Sequence, residues 1–195
     1  MGMSFARVPT TAAWRHRGAR SGFEVVYFQA GAGGWGIEGW TTAVEDGDIW
    51  VVEYAIELDA GWATRRARIR GRSRTGFSSR LLEADGAGRW LVDGERAAHL
   101  DGCLDVDLES SAMTNALPVH RMALPAGARA DAPAAYVRAA GLGVERLEQT
   151  YSRTPGQASR QYFDYSAPVF DFSCRLAYDE SGLVVDYPGI AVRVA

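Results

Sequence analysis

A two-residue alternation of apolar and polar side chains is the feature that most constrains the fold of this chain. It is clearest over residues 49–58, where a strand would carry on one face Trp50, Val52, Tyr54, Ile56 and Leu58, and on the other Glu53 and Glu57. Glycine-containing turns separate about a dozen such short segments. The pattern predicts a mainly β fold of strongly curled antiparallel sheets, either a barrel-like structure or a sandwich, with one short helix.

Two hairpin signals support this prediction. Asp85-Gly86 lies between two apolar segments, and so does Glu180-Ser181-Gly182. Their similar spacing indicates a single domain with two pseudo-repeated halves, about residues 23–98 and 105–195. Residues 1–12 lack a clear period, so we expect them to be poorly ordered.

Residues 131–141 carry helix signals at both ends. Asp131 is a favourable N-cap, Pro133 fits the first turn of a helix, and Gly141 fits its C-terminal end. The sequence therefore predicts the one short helix at this position.

Composition limits the classes of partner. The formal net charge is −3, which argues against the basic surface that nucleic acid binding requires. No apolar run approaches the roughly 18 residues of a membrane-spanning helix, and no secretory signal is present, so we expect a cytoplasmic protein that is not membrane-integral. Cys103 and Cys174 show no metal-ligand spacing, and we expect both to be reduced.

The segment 103–108 is unusual because one of its faces is acidic. Read as a strand, it carries Leu104, Val106 and Leu108 on one face and Cys103, Asp105 and Asp107 on the other. Asp101 extends the acidic row by one step. Carboxylates at this spacing repel one another unless arginine, a ligand or water compensates.

Three arginines occupy positions where the alternation expects core residues: Arg65 beside Ala67 and Ile69, Arg121 beside Leu117 and Val119, and Arg153 beside Leu147 and Tyr151. An unpaired charge in the core would cost several kcal/mol, so each arginine needs a partner. Two arrangements meet this need. The arginines and aspartates pair with each other in a purely structural network, or they form the polar end of an apolar and aromatic cavity.

The cavity hypothesis predicts a binding protein without a cofactor. Its charged groups would hydrogen-bond a polar head group, while aromatic side chains offer stacking faces for sugars or walls for acyl chains. The candidate aromatic residues are Trp35, Trp62, Trp90, Tyr151 and Tyr187. Under the network hypothesis the partner would instead be another protein.

A hydrolase acting on a sugar or lipid head group is the catalytic alternative. Neighbouring inward positions such as Asp105 and Asp107 lie about 6.5–7 Å apart at Cα and point the same way. A glycosidase needs carboxylates on both sides of the scissile bond. The histidines, His16, His99 and His120, lie in no metal-binding or triad motif. We therefore assign no catalytic residue and no metal site, and we favour a protein that is not an enzyme.

Four motifs are recognisable: Trp62-x-Thr-Arg65, Leu100-Asp101-Gly102-Cys103-x-Asp105-Val106-Asp107-Leu108, Thr114-Asn115-x-Leu117-Pro118-x-x-Arg121 and Val185-Asp186-Tyr187-Pro188-Gly189. Together they resemble the bacterial putative glycolipid-binding family, formerly a domain of unknown function. The resemblance extends over roughly residues 12–194. It implies a predominantly β fold of two connected curved sheets, which has been likened to lipoprotein carriers that shelter acyl chains in an open half-barrel. Those carriers are secreted, whereas this sequence carries no export signal.

The resemblance implies a glycolipid-like ligand and brings no established catalytic residue. Its motif residues, together with the inward arginine and aromatic positions, make up the predicted ligand-binding set: Trp62, Arg65, Asp101, Asp105, Asp107, Asn115, Arg121, Tyr151, Arg153 and Tyr187.

Overall fold

In the described part of the chain the fold is mainly β with one short helix, which confirms that part of the prediction. The computed structural model describes residues 5–157 and 160–195. Within these ranges the strands form one 14-stranded sheet and one 3-stranded sheet.

The elements follow one another with short connections over most of the chain. In chain order the strands are β1 (Thr11–His16), β2 (Arg20–Gly31), β3 (Gly34–Glu45), β4 (Asp48–Asp59), β5 (Thr64–Ser73), β6 (Gly76–Ala84), β7 (Trp90–Val92), β8 (Glu95–Arg96), β9 (Asp105–Leu108), β10 (Arg129–Asp131), β11 (Ala134–Val137), β12 (Val144–Leu147), β13 (Thr150–Gln157), β14 (Arg160–Ala167), β15 (Phe172–Tyr178), β16 (Val184–Tyr187) and β17 (Ala191–Arg193). The helix α1 spans Ala116–Met122, and short 3₁₀ turns span Ala98–Leu100, Met113–Asn115 and Pro168–Phe170.

The large sheet joins the two halves of the chain. Its strand order is β10-β13-β14-β15-β16-β17-β1-β2-β3-β4-β5-β6-β7-β8. All of these neighbours are antiparallel. Strand β17 pairs with β1, with Arg193 opposite Trp14. The first and last strands therefore lie side by side within the sheet.

The small sheet contains the acidic segment and has the order β12-β11-β9. Strands β11 and β12 are antiparallel, but β9 and β11 are parallel, with Asp105 opposite Ala134 and Asp107 opposite Tyr136. The prediction of purely antiparallel sheets is wrong for this pair. A parallel pair requires a long crossover connection, and the chain between Leu108 and Ala134, which includes α1, supplies it.

The predicted alternation over residues 49–58 is confirmed in β4. Alternate side chains from Trp50 to Leu58 are buried, whereas Glu53 and Glu57 are exposed. The N-terminal segment also contributes to the core, because Trp14 is fully buried and its Nε1 donates to the carbonyl of Val184 at 2.8 Å. Residues 1–4 of the predicted disordered segment lie outside the described residues.

The predicted helix over residues 131–141 is wrong. Strand β10 ends at Asp131, and all four residues of β11 are buried. Strands β9 and β12 flank β11 and pair with it on both sides. Backbone hydrogen bonds and burial on both sides of β11 outweigh the local helix signals.

The helix lies instead in a segment whose spacing predicts a strand. Leu117, Val119 and Arg121 fit a two-residue alternation, but they lie on α1. A seven-residue segment is too short for spacing alone to separate a helix from a strand. Pro118 fits the first turn, and Ala123 ends the helix in the left-handed conformation at a φ of 43°.

Cys103 and Cys174 are both free thiols. None of the helices in the described part of the chain has the length and apolar character needed to cross a membrane.

Candidate functional site

Strand β9 carries two carboxylates into the interior. Asp105 and Asp107 are both buried, and their spacing of two puts them on the same face of the strand. Thr64 of β5 fixes the position of β9: its backbone N–H donates to the carbonyl of Leu104 at 2.9 Å, and its Oγ1 accepts from the N–H of Val106 at 3.0 Å. The two aspartates are therefore held beside the large sheet.

Asp105 is paired with Arg121. The Arg121 Nη2 donates to Oδ2 at 2.6 Å, and its Nε donates to Oδ1 at 2.9 Å, which makes the contact bidentate. The Asp105 side chain is 1% exposed and that of Arg121 is 17% exposed. Burial raises the pKa of the Asp105 carboxyl, and the guanidinium opposes that rise. This pair satisfies the need for a partner that the sequence identifies at both positions.

Asp107 has a hydroxyl partner in place of a cation. Its Oδ1 accepts from the Thr114 Oγ1 at 2.9 Å. Burial is the main cause that raises the pKa of Asp107 to about 6; the charges of Asp105 and Glu109 add to the rise, and the Thr114 hydrogen bond opposes it. The Asp107 carboxyl therefore changes its protonation state close to neutral pH.

Asp107 lines a cavity of about 260 Å³ to which residues of both sheets contribute. Tyr165, Phe172 and Tyr187 pack against one another on its wall, with ring centroids 6.1 or 6.2 Å apart. The other aromatic residues of the lining are Tyr136 and Phe170. Aromatic walls with a small number of polar groups are typical of small-molecule sites.

Asn115 is a second polar group of the cavity lining. The Tyr151 hydroxyl donates to its Oδ1 at 2.9 Å, and the Tyr178 hydroxyl donates to its backbone carbonyl at 3.1 Å. Both tyrosines are fully buried, so they hold Asn115 in place. Because the Asn115 Oδ1 already accepts the hydrogen bond from Tyr151, the side-chain NH₂ group is the part of Asn115 that can donate to a ligand.

Two arginines bring positive charge to the lining. The Arg20 Nη1 donates to the backbone carbonyl of Glu109 at 2.6 Å. The Arg138 guanidinium lies 5.3 Å from the ring centroids of both Tyr136 and Phe170, and 3.7 Å from the carboxylate of Glu109. The Glu109 carboxylate therefore balances part of the Arg138 charge, the Glu45 carboxylate pairs with Arg20 at 3.0 Å, and the lining is mixed in sign.

Glu24 is a buried acid beside the cavity that the motifs do not single out. Its carboxylate is fully buried and accepts from the Tyr54 hydroxyl at 2.6 Å, from the Ala112 N–H at 2.8 Å and from the Ser111 hydroxyl. Burial raises the pKa of Glu24, and these hydrogen bonds oppose the rise. Because Ser111 lines the cavity, Glu24 anchors one part of its wall.

The structure brings only part of the predicted set to the cavity, namely Asp107, Asn115 and Tyr187. Trp62 stacks on the His120 ring at a centroid distance of 3.6 Å, Arg153 donates to the Leu124 carbonyl at 2.8 Å, and Asp101 pairs with Arg96 at 2.6 Å on the surface. These residues, with Arg65, Asp105, Arg121 and Tyr151, are outside the lining.

Arg65 is exposed, so its predicted inward position is wrong. The register between β4 and β5 shifts at this point: Leu58 lies opposite Thr64, and Glu57 lies opposite Arg66. Arg65 is the extra residue of this β-bulge, and a bulge breaks the two-residue alternation on which the prediction depends.

We expect the substitution Arg65→Gln to change the free energy of unfolding by less than about 0.5 kcal/mol, as for most exposed positions. Urea denaturation of the two proteins measures this difference. A loss of more than about 2 kcal/mol would instead indicate a buried ion pair at this position.

The acids of the cavity lie too close together along the chain for a glycosidase arrangement. Glu109 follows Asp107 by two residues, and its carboxylate accepts from the Ala139 N–H at 2.7 Å. A glycosidase requires two carboxyl groups on opposite sides of the substrate. Within residues 5–157 and 160–195, no three His, Cys, Asp or Glu side chains are grouped to hold a metal ion. The geometry suits hydrogen bonding to a ligand.

Among solved structures, the chain is similar to a DUF1089 family protein from Pseudomonas aeruginosa, with 30% sequence identity, a TM-score of 0.74 and coverage of 98% of this chain and 99% of that one. A beta-barrel-like protein of the DUF1849 domain of unknown function from Brucella abortus aligns with 97% of this chain and 96% of its own, at 12% identity and a TM-score of 0.49. A search of the curated proteins found no match.

The sequence model of one family, described as "Putative glycolipid-binding", matches residues 11–193. This range includes every strand from β1 to β17 and all the residues that line the cavity. The chain therefore belongs to the putative glycolipid-binding family.

Proposed function

We propose that this protein binds the head group of a glycolipid, or of a similar amphipathic molecule, in the cavity lined by Asp107, Asn115 and Tyr187. The observation that carries the proposal is the combination of aromatic walls with a few buried polar groups. Aromatic rings can stack on the apolar faces of a sugar ring, while a carboxyl and an amide can hydrogen-bond its hydroxyl groups. The family description points to the same ligand class.

The size of the cavity limits what it can enclose. Its volume of about 260 Å³ lies just below the range of about 300–1,000 Å³ for pockets that enclose drug-sized ligands. One ring-sized head group would fill it, so an acyl tail would lie outside. Phe170 lines the cavity and is 41% exposed, and the adjacent Val169 is 72% exposed, so an apolar path leads away from it.

A hydrolase acting on the same head group is the second candidate. The observation that favours it is the raised pKa of Asp107, about 6, since a carboxyl protonated near neutral pH can act as a general acid. Glu109 would have to supply the second carboxylate, but it lies two residues away and is engaged by Ala139 and Arg138. Binding without turnover is therefore the better-supported function.

Titration calorimetry with n-octyl glycosides tests the proposal. These probes combine one sugar ring with a short tail, and n-octanol and the free methyl glycosides separate the two parts. We expect at least one octyl glycoside to bind more tightly than either control. If none of a set of gluco-, galacto- and manno-configured octyl glycosides binds at concentrations of about 1 mM, the head-group proposal is wrong.

Filling the cavity should weaken this binding. Ala167 lines the cavity and is 1% exposed, so the substitution Ala167→Leu puts a larger side chain into the space proposed for the ring. We expect affinity for the octyl glycoside to fall by at least about tenfold. The protein should stay folded, because overpacking typically lowers the free energy of unfolding by only about 1–3 kcal/mol. Calorimetry measures the affinity, and thermal unfolding by circular dichroism monitors the fold.

Ala55→Leu is the matched control, because Ala55 is half-buried in β4 and does not line the cavity. It should leave the affinity unchanged. Equal loss of binding in both variants would place the ligand elsewhere. Release of nitrophenol from a nitrophenyl glycoside by the unmodified protein, lost in Asp107→Asn, would instead favour the hydrolase.

A further inference from the structure

Asp107 is a buried acid of the cavity lining that has no cation partner. It is 7% exposed, and within residues 5–157 and 160–195 no basic side chain lies within salt-bridge distance of its carboxylate. In the same ranges only the Thr114 hydroxyl donates to this carboxylate, and it does so to Oδ1. Oδ2 is therefore the oxygen that a ligand can reach from the cavity. A buried carboxylate without a cation is costly, so a ligand that brings a positive charge relieves that cost.

The two arginines of the lining do not supply this charge, because each is already paired with a carboxylate. Arg20 donates to Glu45 through its Nε at 3.2 Å and its Nη2 at 3.0 Å. The Arg138 guanidinium lies 3.3 Å from the carboxylate of Glu145 and 3.7 Å from that of Glu109. Three carboxylates thus match two guanidinium groups, so the unmatched charge of the cavity is negative.

Other ionisable groups near the cavity leave this balance unchanged. Asp105 is neutralised by its bidentate contact with Arg121. Burial raises the pKa of Glu24, which favours its neutral form. Burial is also the main cause that lowers the pKa of His16 to about 4, so this buried imidazole is neutral at neutral pH. The charge that a ligand meets at Asp107 is therefore that of a carboxylate without a counter-ion.

The aromatic wall of the cavity also suits a cation. Two of its five rings already hold the Arg138 guanidinium at 5.3 Å. The other three, Tyr165, Phe172 and Tyr187, pack against one another, and we call them the ring cluster. Ring faces attract cations within about 6 Å of the centroid, and groups of rings recognise quaternary ammonium ligands. Burial is the main cause that raises the pKa of the Tyr165 and Tyr187 hydroxyls, and the charge of Asp107 adds to both rises, so the carboxylate and the ring cluster belong to one site.

We propose that the head group bound in this cavity carries a positively charged nitrogen, which the Asp107 carboxylate and the ring cluster hold together. The inference rests on the proposed function, because it names the ligand class of the same cavity. A protonated amino sugar and a choline head group share this chemistry. The Asn115 NH₂ group is then left to donate to a sugar hydroxyl or to a phosphate oxygen.

Titration calorimetry at about pH 7, where a carboxyl with a pKa of about 6 is mostly ionised, tests the proposal. Two probes carry a positive nitrogen, octyl 2-amino-2-deoxyglucoside and octylphosphocholine, and the third, octyl glucoside, is neutral. We expect at least one positive probe to bind about tenfold more tightly than octyl glucoside, or better. The tighter of the two positive probes identifies the source of the nitrogen, an amino sugar or a phosphocholine head group.

The same measurement separates this inference from the proposed function. If octyl glucoside binds as tightly as both positive probes or more tightly, the inference is wrong and the head-group proposal stands. If none of the probes binds at about 1 mM, both fail. These comparisons use the unmodified protein, so they do not depend on the folding of a variant.

Asp107→Asn should remove the preference for a positive probe, because asparagine keeps the shape of the side chain and loses its charge. The ratio of the affinities for the preferred positive probe and for octyl glucoside should fall from about tenfold to near one. Asp131→Asn, at an exposed position outside the lining, is the matched control and should keep the ratio. A ratio that Asp107→Asn leaves unchanged would overturn the proposal.

Phe172→Leu tests the ring cluster. Leucine keeps an apolar side chain but offers no ring face, so affinity for the preferred positive probe should fall about threefold or more. Phe77→Leu is the control, since Phe77 is 68% exposed and lies outside the lining, and it should bind as the unmodified chain does. Circular dichroism verifies the folding of each variant. Equal affinities of the two variants would contradict the role of the ring cluster.

Discussion

Replacing Arg121 with methionine should lower the free energy of unfolding by about 3–5 kcal/mol at about pH 8, which is the usual loss when one partner of a buried ion pair is removed. Methionine keeps most of the apolar stem, so the main change is the loss of the positive charge. The Asp105 carboxylate, 1% exposed, then remains in the core without its two hydrogen bonds from the guanidinium. Urea denaturation at several pH values measures the effect.

The loss should shrink as the pH falls. Burial raises the pKa of Asp105 even with Arg121 present, and without the guanidinium nothing opposes that rise. The variant therefore takes up a proton at a higher pH than the unmodified protein, and a neutral carboxyl is less costly to bury. Asp105→Asn combined with Arg121→Met should restore much of the stability for the same reason.

Arg175→Met provides the matched control. Arg175 pairs with Asp164 at 2.7 Å, but their side chains are 60% and 49% exposed, so removal of this pair should cost less than about 1 kcal/mol. If Arg121→Met and Arg175→Met cost the same, the buried pair does not stabilise the fold in the way we infer.

Asp107→Asn should stabilise the protein above about pH 6, by up to about 3 kcal/mol. The pKa of Asp107 rises from 3.8 to about 6, mainly through burial, so the folded protein holds this proton more tightly than the unfolded chain. Asparagine mimics the protonated carboxyl and keeps an oxygen that can accept from Thr114. The expected gain is large because it removes a buried negative charge at neutral pH.

The raised pKa of Asp107 determines how the stability gain of Asp107→Asn depends on pH. A carboxyl whose pKa is raised on folding contributes stability below its unfolded pKa of about 3.8, and this contribution disappears as the pH rises through about 6. The difference between Asp107→Asn and the unmodified protein should therefore grow between about pH 4 and about pH 7 and then level off. Thermal unfolding over this range gives the curve. The substitution Asp131→Asn, at an exposed position, is the control, and its stability difference from the unmodified protein should not change over this pH range. Destabilisation by Asp107→Asn at every pH would contradict the inference.

Strands with one exposed and one buried face were predictable from the sequence. In β4 the alternation of side chains follows directly from burial of one face, and the hairpin at Asp85-Gly86 is a local turn between β6 and β7. The class of fold and the positions of these strands depend on short-range patterns, so no knowledge of distant residues is needed.

Elements that depend on distant partners were not predictable. Helix signals at Asp131 and Gly141 compete with pairing of β11 to β9 and β12, and only the assembled sheet decides the outcome. The bulge at Arg65 is similar, because an extra residue on one strand is visible only when the register with β4 is known.

The candidate site was predictable in part for the same reason. Asp107 and Asn115 are recognisable in the sequence because they belong to distinctive motifs close to β9. Glu24 has a usable signal that the motifs do not contain, since it lies two and four residues before the buried Val26 and Phe28. Arg138, by contrast, reaches the cavity only through the arrangement of the small sheet, and no local pattern predicts that.

The pairing of β1 with β17 has a consequence for how the chain acquires its structure. This junction joins segments separated by almost the entire sequence, so its closure carries a large entropic penalty and contributes to a high contact order. During synthesis, the edge of β1 that pairs with β17 has no strand partner until β17 has been made. Arg15, exposed on β1, places a charge on that waiting edge, and charged side chains on open edges discourage aggregation of half-made chains.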